Sequence, residues 1–305
     1  MKENKVEINI GKEIYEKRWS NSLKNGDYDI LSRDENLDNQ VQYFYNRYCE
    51  FILNKIKAHF KNYPYKNLRI LEIGCGRGTA SIYLSKKLNC KVTGIDFSKN
   101  SIEIAKKNAK FHFSEAEFFI ADLFEPKTIL EKTKNTNKEF DIIISLGVLE
   151  HIEQLNKCFQ IHNELLDHNG LFCAMIVPEK KSIQNYFSFI NRLLSSIALL
   201  ISPKFRDKFS HLDKKTLSKT KDVYRSYKSA KYFKDSLIKA NFINVVTIES
   251  NPYPTLRPLN RFFEKFVVKT YMIIEYLFYG LFKKSIFFNC STNFSRCHFL
   301  IGTKN

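Results

Sequence analysis

The 305-residue chain lacks several signals that would assign it to a common class of protein. Its seven cysteines include no CxxC pair, and no zinc-finger or RNP-type motif occurs. No run of about 18 uncharged apolar residues is present, which disfavours a membrane-spanning helix. The polar N-terminus also lacks the apolar segment of a secretory signal. We therefore expect reduced, mostly buried thiols, no metal site and a cytoplasmic location.

Charge of one sign is in excess, because the formal net charge is +17. Such an excess favours an anionic partner: nucleic acid, phospholipid head groups or a phosphorylated substrate. The abundance of Lys, Asn, Ile and Phe is also typical of proteins from AT-rich genomes, and this explains the charge equally well. No long Lys/Arg block stands out, which disfavours nucleic acid as the partner.

The hydrophobic pattern divides the chain into four regions. Residues 1–66 predict an N-terminal helical cap, and residues 67–180 alternate short apolar runs with helical stretches. This alternation is typical of parallel β-α-β units, whose right-handed crossovers put helices on both faces of a sheet. Residues 181–240 predict a helical insert or lid. Residues 241–305 predict the C-terminal strands, with an inserted aromatic-rich helical segment.

A glycine-rich turn follows the first predicted strand of the second region. It contains Glu72, Gly74, Cys75, Gly76 and Gly78. Glycine permits a sharp backbone turn and the close approach of a ligand, and the helix N-terminus beyond the turn favours a carboxylate. The third glycine comes one residue too early for the dinucleotide-binding fingerprint.

Acidic residues follow the next two predicted strands. Asp96 ends the second strand, about 20 residues beyond the glycine turn, where a carboxylate can accept both hydroxyls of a ribose. Asp122 follows the third strand. A fourth strand over 140–146 leads into a further helical stretch.

These segments, in this order, resemble the motifs of class I S-adenosylmethionine-dependent methyltransferases. The resemblance covers about residues 67–180 and implies a Rossmann-like α/β fold, with a seven-stranded, mostly parallel sheet whose last strand is antiparallel. It implies S-adenosyl-L-methionine as cofactor. It assigns the cofactor-binding role to Glu72, Gly74, Cys75, Gly76, Gly78, Asp96, Phe97, Ser98, Asp122, Leu123 and Leu146. Within this set, it assigns Glu72 to the amino group of the cofactor and Asp122 and Leu123 to the adenine.

His151 is the candidate catalytic residue, because it follows the fourth strand, where the acceptor meets the cofactor. The stretch Val148–Ile152 resembles that of ubiquinone-pathway O-methyltransferases, and of many other small-molecule methyltransferases. A hydroxyl acceptor usually needs deprotonation, and histidine is the commonest base near neutral pH. We therefore predict a general base, with a structural histidine as the alternative. His211 is the second candidate, whereas His162 and His168 are expected on a surface helix and at its end.

An aromatic-rich helical segment is predicted over residues 259–288. Wound as a helix, it gathers its charged residues on one stripe: Arg261, Glu264, Lys265, Lys269, Glu275 and Lys283. The apolar remainder has two explanations. It packs in the core or in a homodimer contact, or it binds peripherally at the inner face of the membrane.

The sequence therefore predicts a methyltransferase that acts on a small molecule, lipid or glycan precursor, with O-methylation favoured. The long segment between the last two strands departs from the compact ending of the quinone-type enzymes. Methylation of RNA is an alternative that would need a basic groove, and no Asn-Pro-Pro-Tyr target-base motif follows the fourth strand. A non-catalytic, cofactor-binding protein at the membrane is the other alternative.

Overall fold

The structure is a computed structural model, and it describes residues 12–21, 37, 39–133, 140–201, 224–257 and 260–305. His211 and most of the basic stretch after Pro203 lie outside the described residues.

Seven strands form one sheet in the order β3-β2-β1-β4-β5-β7-β6. Their bounds are β1 (Arg69–Ile73), β2 (Lys91–Asp96), β3 (Glu117–Ile120), β4 (Phe140–Leu146), β5 (Leu166–Ile176), β6 (Phe242–Ser250) and β7 (Cys297–Lys304). Strands β1 to β5 pair in parallel, whereas β7 is antiparallel to both β5 and β6. The predicted mostly parallel sheet with an antiparallel last strand is confirmed. The strand order reverses between β1 and β4, and open α/β sheets bind ligands beyond the carboxyl ends of the strands at such a point.

Helices cover both faces of the sheet. They are α1 (12–21), α2 (Gln40–His59), α3 (Thr79–Leu88), α4 (Lys99–Phe111), α5 (Pro126–Lys132), α6 (Leu155–Leu165), α7 (Ile183–Tyr186), α8 (Ser188–Ile201), α9 (Ala230–Lys239) and α10 (Arg261–Phe282). One buried cluster includes side chains of α2, α3, α4 and α10, and the other includes side chains of α5, α6 and α9. The sheet is therefore apolar on both sides, as its nearly continuous apolar strands require.

Strand β5 begins earlier than the apolar run starting at Leu171 predicts. Leu166 pairs with Phe140, and the register then shifts before Leu171 pairs with Ile142. Asn169, between the two paired parts, has a positive φ of 57°. Because this irregular stretch contains polar residues, the hydrophobic pattern does not indicate where the strand begins.

His162 is buried, so the prediction of a surface position was wrong. Its Nδ1 donates a hydrogen bond to the carbonyl oxygen of Cys158 at 2.7 Å. Burial lowers the pKa of His162 to about 4, so the ring is neutral. The ring also meets Phe172 of β5 edge-on, because the face of α6 that carries His162 packs on the sheet. His168 is exposed, as expected, but it lies in β5.

The carboxylates of α10 point towards α2, which corrects the predicted charged stripe. Oε2 of Glu264 accepts hydrogen bonds from the backbone N–H of Gln40 at 3.0 Å and from its Nε2 at 3.1 Å. Glu275 accepts the hydroxyl of Tyr43 at 2.7 Å and pairs with Arg47 at 2.9 Å. The exposed side of α10 is therefore left with basic residues as its only charges.

All seven cysteines are free, and all but Cys290 are buried, as predicted. Within the described residues, no helix combines the length and the apolar character needed to cross a membrane.

Candidate active site

The glycine turn joins β1 to α3 and is fastened to the end of β2. The N–H group of Gly74 donates to the carbonyl oxygen of Ile95 at 2.8 Å. Gly78 has a φ of 78°, and a Cβ atom there would lie 2.7 Å from the ring of Phe118. Both the backbone conformation and the space exclude a side chain at this position. The close packing of the turn against β2 and Phe118 therefore depends on glycine at residue 78.

Asp96 faces the glycine turn from the end of β2. Its Oδ2 accepts the N–H of Gly76 at 3.0 Å, and its Oδ1 accepts the N–H of Ser98 at 2.9 Å. Burial raises the pKa of Asp96, and these two hydrogen bonds oppose the shift. The side chain of Ser101 also hydrogen-bonds this carboxylate, and because a carboxylate has about four acceptor sites, it can still accept a hydrogen bond from a ligand.

Glu72 is buried under the turn. Its Oε2 accepts the N–H of Ser81 at 2.9 Å and the hydroxyl of Ser81 at 2.5 Å. Ser81 belongs to the first turn of α3, so the carboxyl group lies at the positive end of that helix. Burial nevertheless raises the pKa of Glu72 to about 7. Glu72 thus ties β1 to α3, while its contact with the amino group of the cofactor stays a prediction.

The residues after Asp96 differ in their surroundings. Phe97 is exposed, and its ring meets that of Tyr15 edge-on at 6.2 Å between centroids. Ser98 is buried, and its hydroxyl oxygen accepts the N–H of Ser101 at 3.1 Å, which caps α4. Phe97 can therefore contact a ligand directly, whereas the hydroxyl of Ser98 already has a structural partner.

An open cleft of about 510 Å³ lies between α1 and the ends of β2 and β3. Its walls include Lys12, Glu16, Phe97, Ile120, Ala121 and Asp122. Oδ2 of Asp122 pairs with Nζ of Lys12 at 2.6 Å, and its Oδ1 accepts the N–H of Phe124 at 3.0 Å. Leu123, predicted to pack on the adenine, is buried in the hydrophobic core instead of lining the cleft.

Helix α1 covers this part of the molecule, a role that the sequence pattern does not predict. The ring of Trp19 lies 3.1 Å from the place that a Cβ of Gly76 would occupy, and the guanidinium of Arg77 lies 5.5 Å from its centroid. Oε1 of Glu16 accepts Nδ2 of Asn100 at 2.7 Å. The only signal in the sequence was the aromatic character of the segment, which does not say what it covers.

His151 lies in a 3-10 turn, Leu149–His151, just beyond β4. Its Nδ1 is 2.8 Å from the carbonyl oxygen of Tyr224. Because a carbonyl can only accept, Nδ1 carries the proton and the lone pair of the neutral ring is on Nε2. Burial lowers the pKa of His151, although the hydrogen bond to Tyr224 opposes this shift. The side chain is thus arranged to accept a proton at Nε2.

Glu150 lies beside this histidine. Its Oε1 is 3.9 Å from Nε2 of His151, and its buried Oε2 has no hydrogen-bond partner among the described residues. Burial raises the pKa of Glu150 to about 7. Leu146, half-buried at the end of β4, is followed by Gly147 with a φ of 72°. The backbone therefore turns sharply between the predicted cofactor residue Leu146 and His151.

Comparisons with known proteins agree with this arrangement. Residues 64–229, more than half of the chain, match a family model described as a methyltransferase domain. Over 183 residues the chain is 30% identical to the ubiquinone biosynthesis O-methyltransferase of Pelagibacter ubique, which covers 60% of this chain and 68% of that protein. Over 132 residues it is 35% identical to the release factor glutamine methyltransferase of Flavobacterium psychrophilum, covering 43% and 42%.

The chain spans about half of the length of other curated relatives that it matches. Among crystal structures, the magnesium protoporphyrin IX methyltransferase of Synechocystis with bound S-adenosylmethionine is similar at a TM-score of 0.52. That similarity covers 97% of both chains at 12% identity, and it therefore shows the fold alone. Together, the family match over residues 64–229, the identity to the Pelagibacter relative and the strand order show that the chain belongs to the class I S-adenosylmethionine-dependent methyltransferases.

Proposed function

We propose that this enzyme methylates a hydroxyl oxygen of a small molecule, lipid or glycan precursor, with His151 as the general base. The observation that carries the proposal is the hydrogen bond between Nδ1 of His151 and the carbonyl of Tyr224. This bond selects the tautomer whose Nε2 can take a proton. The lowered pKa keeps the ring neutral near pH 7, as a base must be before transfer.

The residues around the glycine turn fit the cofactor. S-adenosyl-L-methionine supplies an electrophilic methyl group on a sulfonium. The carboxylate of Asp96 suits the ribose hydroxyls as an acceptor, and the cleft beside Phe97 and Asp122 has room for the adenine. A Cβ atom at Gly76 would approach Trp19, and one at Gly78 would approach Phe118, so the tight turn that carries the backbone N–H groups depends on glycine at both positions.

In the proposed step, the oxygen of the acceptor would lose its proton to Nε2 of His151 as it gains the methyl group, while the bond from that methyl group to sulfur breaks and leaves the neutral thioether S-adenosylhomocysteine. The Nδ1–H group stays on the carbonyl of Tyr224, so the ring keeps its orientation when it becomes positively charged. Glu150 then lies 3.9 Å from the charged ring. Above pH 7 Glu150 is mostly ionised, because its pKa is about 7, and a carboxylate at that distance stabilises the imidazolium, more so in a partly buried site than in water.

The relatives support different acceptor atoms. The Pelagibacter protein is named an O-methyltransferase, whereas the Flavobacterium protein is named for glutamine. The choice of oxygen therefore depends on His151, because a hydroxyl needs a base more than an amine does.

The test begins with a screen of hydroxylated acceptors in the presence of labelled S-adenosylmethionine. With the acceptor in hand, His151→Gln should lower kcat by about 10²–10⁴-fold and leave the affinity for S-adenosylhomocysteine unchanged. His168→Gln changes an exposed histidine of β5 and is the matched control. The rate should rise with pH at the acid end and level off by pH 7, because the pKa of His151 is lowered. A near-normal kcat in His151→Gln, or a product methylated on nitrogen, would contradict the proposal.

A further inference from the structure

Helices α7, α8 and α10 present large apolar side chains to solvent. We call this group of side chains the α8–α10 surface. It is defined by Tyr186, Phe189, Leu193, Phe262, Phe266 and Leu277. Phe262 is 80% exposed and Phe189 is 73% exposed, so most of each side chain faces solvent. Single exposed apolar residues are ordinary, but a group of them on these three helices is typical of a surface that binds a partner.

Hydrogen bonds from the loop just before α10 link this helix to α8. The carbonyl oxygen of Thr255 accepts Nδ2 of Asn191, on α8, at 2.9 Å. Leu256, the next residue, bonds the side chain of Gln40, which also bonds Glu264 near the start of α10. Strands β5 and β6 point the same way, because both are antiparallel to β7. Helices α8 and α10 therefore both start on the sheet edge that carries Asp96 and His151.

The charge of this surface has one sign. Every charged residue of α10 that is exposed is basic: Arg261, Lys265 and Lys269. The two carboxylates of the helix are engaged by residues of α2, as described above. Helices α7 and α8 contain no acidic residue, and Arg192 of α8 is exposed. Apolar rings among cations are complementary to lipid tails below anionic head groups.

We propose that the α8–α10 surface docks onto an anionic phospholipid bilayer. The helices lie in the plane of the interface, with the aromatic rings among the upper acyl chains and the basic residues at the phosphates. This mode of binding needs an amphipathic helix and not a spanning one, in agreement with the composition of α10. The proposal is independent of the methyl acceptor, so it stands or falls apart from the proposed function.

A second copy of the chain fits this surface less well than a bilayer does. A symmetric dimer places the same patch on both subunits. The basic residues of one copy would then lie against the same basic surface of the other, where α10 has no exposed acidic residue. Anionic head groups meet these cations with the opposite charge.

Vesicle flotation tests the proposal on the full chain, with phosphatidylcholine vesicles that do or do not contain phosphatidylglycerol. We expect the protein to float with the anionic vesicles at low salt and to be released at high salt, because surface charges are screened. Phe262→Ser combined with Phe266→Ser should lower the partition coefficient by at least about tenfold, since both rings leave the apolar phase. Lys265→Glu combined with Lys269→Glu should lower it by a similar factor.

The matched control is Phe113→Ser. Phe113 is 92% exposed, but it precedes β3, which is the edge strand on the opposite side of the sheet from β6. This variant should leave flotation unchanged. Unchanged affinity for S-adenosylhomocysteine in calorimetry verifies that each variant is folded. The proposal is overturned if the wild type stays unbound with anionic vesicles at low salt. It is also overturned if Phe262→Ser with Phe266→Ser abolishes a dimer seen by light scattering without changing flotation.

Discussion

Two regions of the molecule use apolar residues in opposite ways. The first region is the half of the sheet formed by β1 to β4. The second region consists of the helices α7, α8 and α10. In the first region, hydrogen bonds to the backbone hold the candidate cofactor residues in place, as when Asp96 accepts the N–H of Gly76 and Gly74 donates to Ile95. In the second region the helices touch the core on one side and expose large rings on the other, with Phe266 as an example. Internal hydrogen bonds therefore fix the geometry of the first region, whereas the second region presents apolar side chains to its surroundings.

The same substitution should have opposite effects in the two regions. Gly78→Ala forces a Cβ atom into the ring of Phe118 and onto a positive φ, so we expect a loss of roughly 3–5 kcal/mol in the free energy of unfolding. Gly280→Ala is the matched control, because a Cβ there meets no atom within 4 Å. In a helix interior this change should add up to about 1 kcal/mol. Urea unfolding measures both, and a loss below about 1 kcal/mol for Gly78→Ala would show that the turn is not rigid.

The first region could be predicted from the sequence because its signals are local. A glycine turn after a strand, and acids at the ends of the following strands, have spacings that the β-α-β unit dictates, whatever packs around it. Asp96 ends β2 and His151 lies just beyond β4, where these spacings predict. The hydrogen bond that selects the tautomer of His151 comes from Tyr224, however, and no local pattern connects residues so far apart.

The second region could be predicted only in outline, because its contacts depend on how the helices dock. The pattern of α10 predicts a helix, but the direction in which Glu264 and Glu275 point is decided by Gln40 and Arg47 of α2. In helix α6, too, a side-chain contact that the pattern does not show decides which residue is buried. Polar residues on an amphipathic helix are usually exposed, yet His162 is buried because its ring nitrogen finds the carbonyl of Cys158 within the same helix.

Burial of acids in the first region should make the stability of the cofactor-free protein depend on pH. The pKa of Glu72 is raised from 4.5 to about 7 in the folded state. Its contribution is therefore fully present below pH 4.5 and is lost as the pH rises through about 7. Relative to Glu72→Gln, which cannot ionise, the wild type should lose up to about 3 kcal/mol over this window, at about 1.4 kcal/mol per pKa unit.

Urea unfolding at pH 5 and pH 8 measures this difference. The comparison uses the variant and not the raw pH slope, because the lowered pKa of His162 makes an opposite contribution, which is lost as the pH falls below 6.5. Glu131→Gln, which changes an exposed residue of α5, is the control. A stability difference between wild type and Glu72→Gln that does not vary with pH would show that Glu72 is ionised in the folded protein throughout.

The smallest expected effect concerns the contact of α1 with the cleft. This contact links a helix whose position the sequence does not predict to the first region, whose motifs the sequence does predict. Nζ of Lys12 lies 2.6 Å from Oδ2 of Asp122, the carboxylate predicted to bind the adenine amino group. Both side chains are partly exposed, so the ion pair contributes at most about 1 kcal/mol to stability. Lys12→Ala should barely change the urea midpoint. It should tighten the binding of S-adenosylhomocysteine by up to about fivefold, because the carboxylate no longer has to give up a competing partner.

Lys17→Ala, which changes an exposed residue of the same helix, should leave the affinity of the wild type unchanged. Raising the salt concentration should narrow the gap between wild type and Lys12→Ala, because screening weakens the ion pair that competes with the ligand. Calorimetry measures all three affinities. If Lys12→Ala weakens binding instead, the lysine contacts the ligand itself. Helix α1 would then be a wall of the cofactor site and no longer a competitor for it, and the boundary between the two regions would move to include residues 12–21.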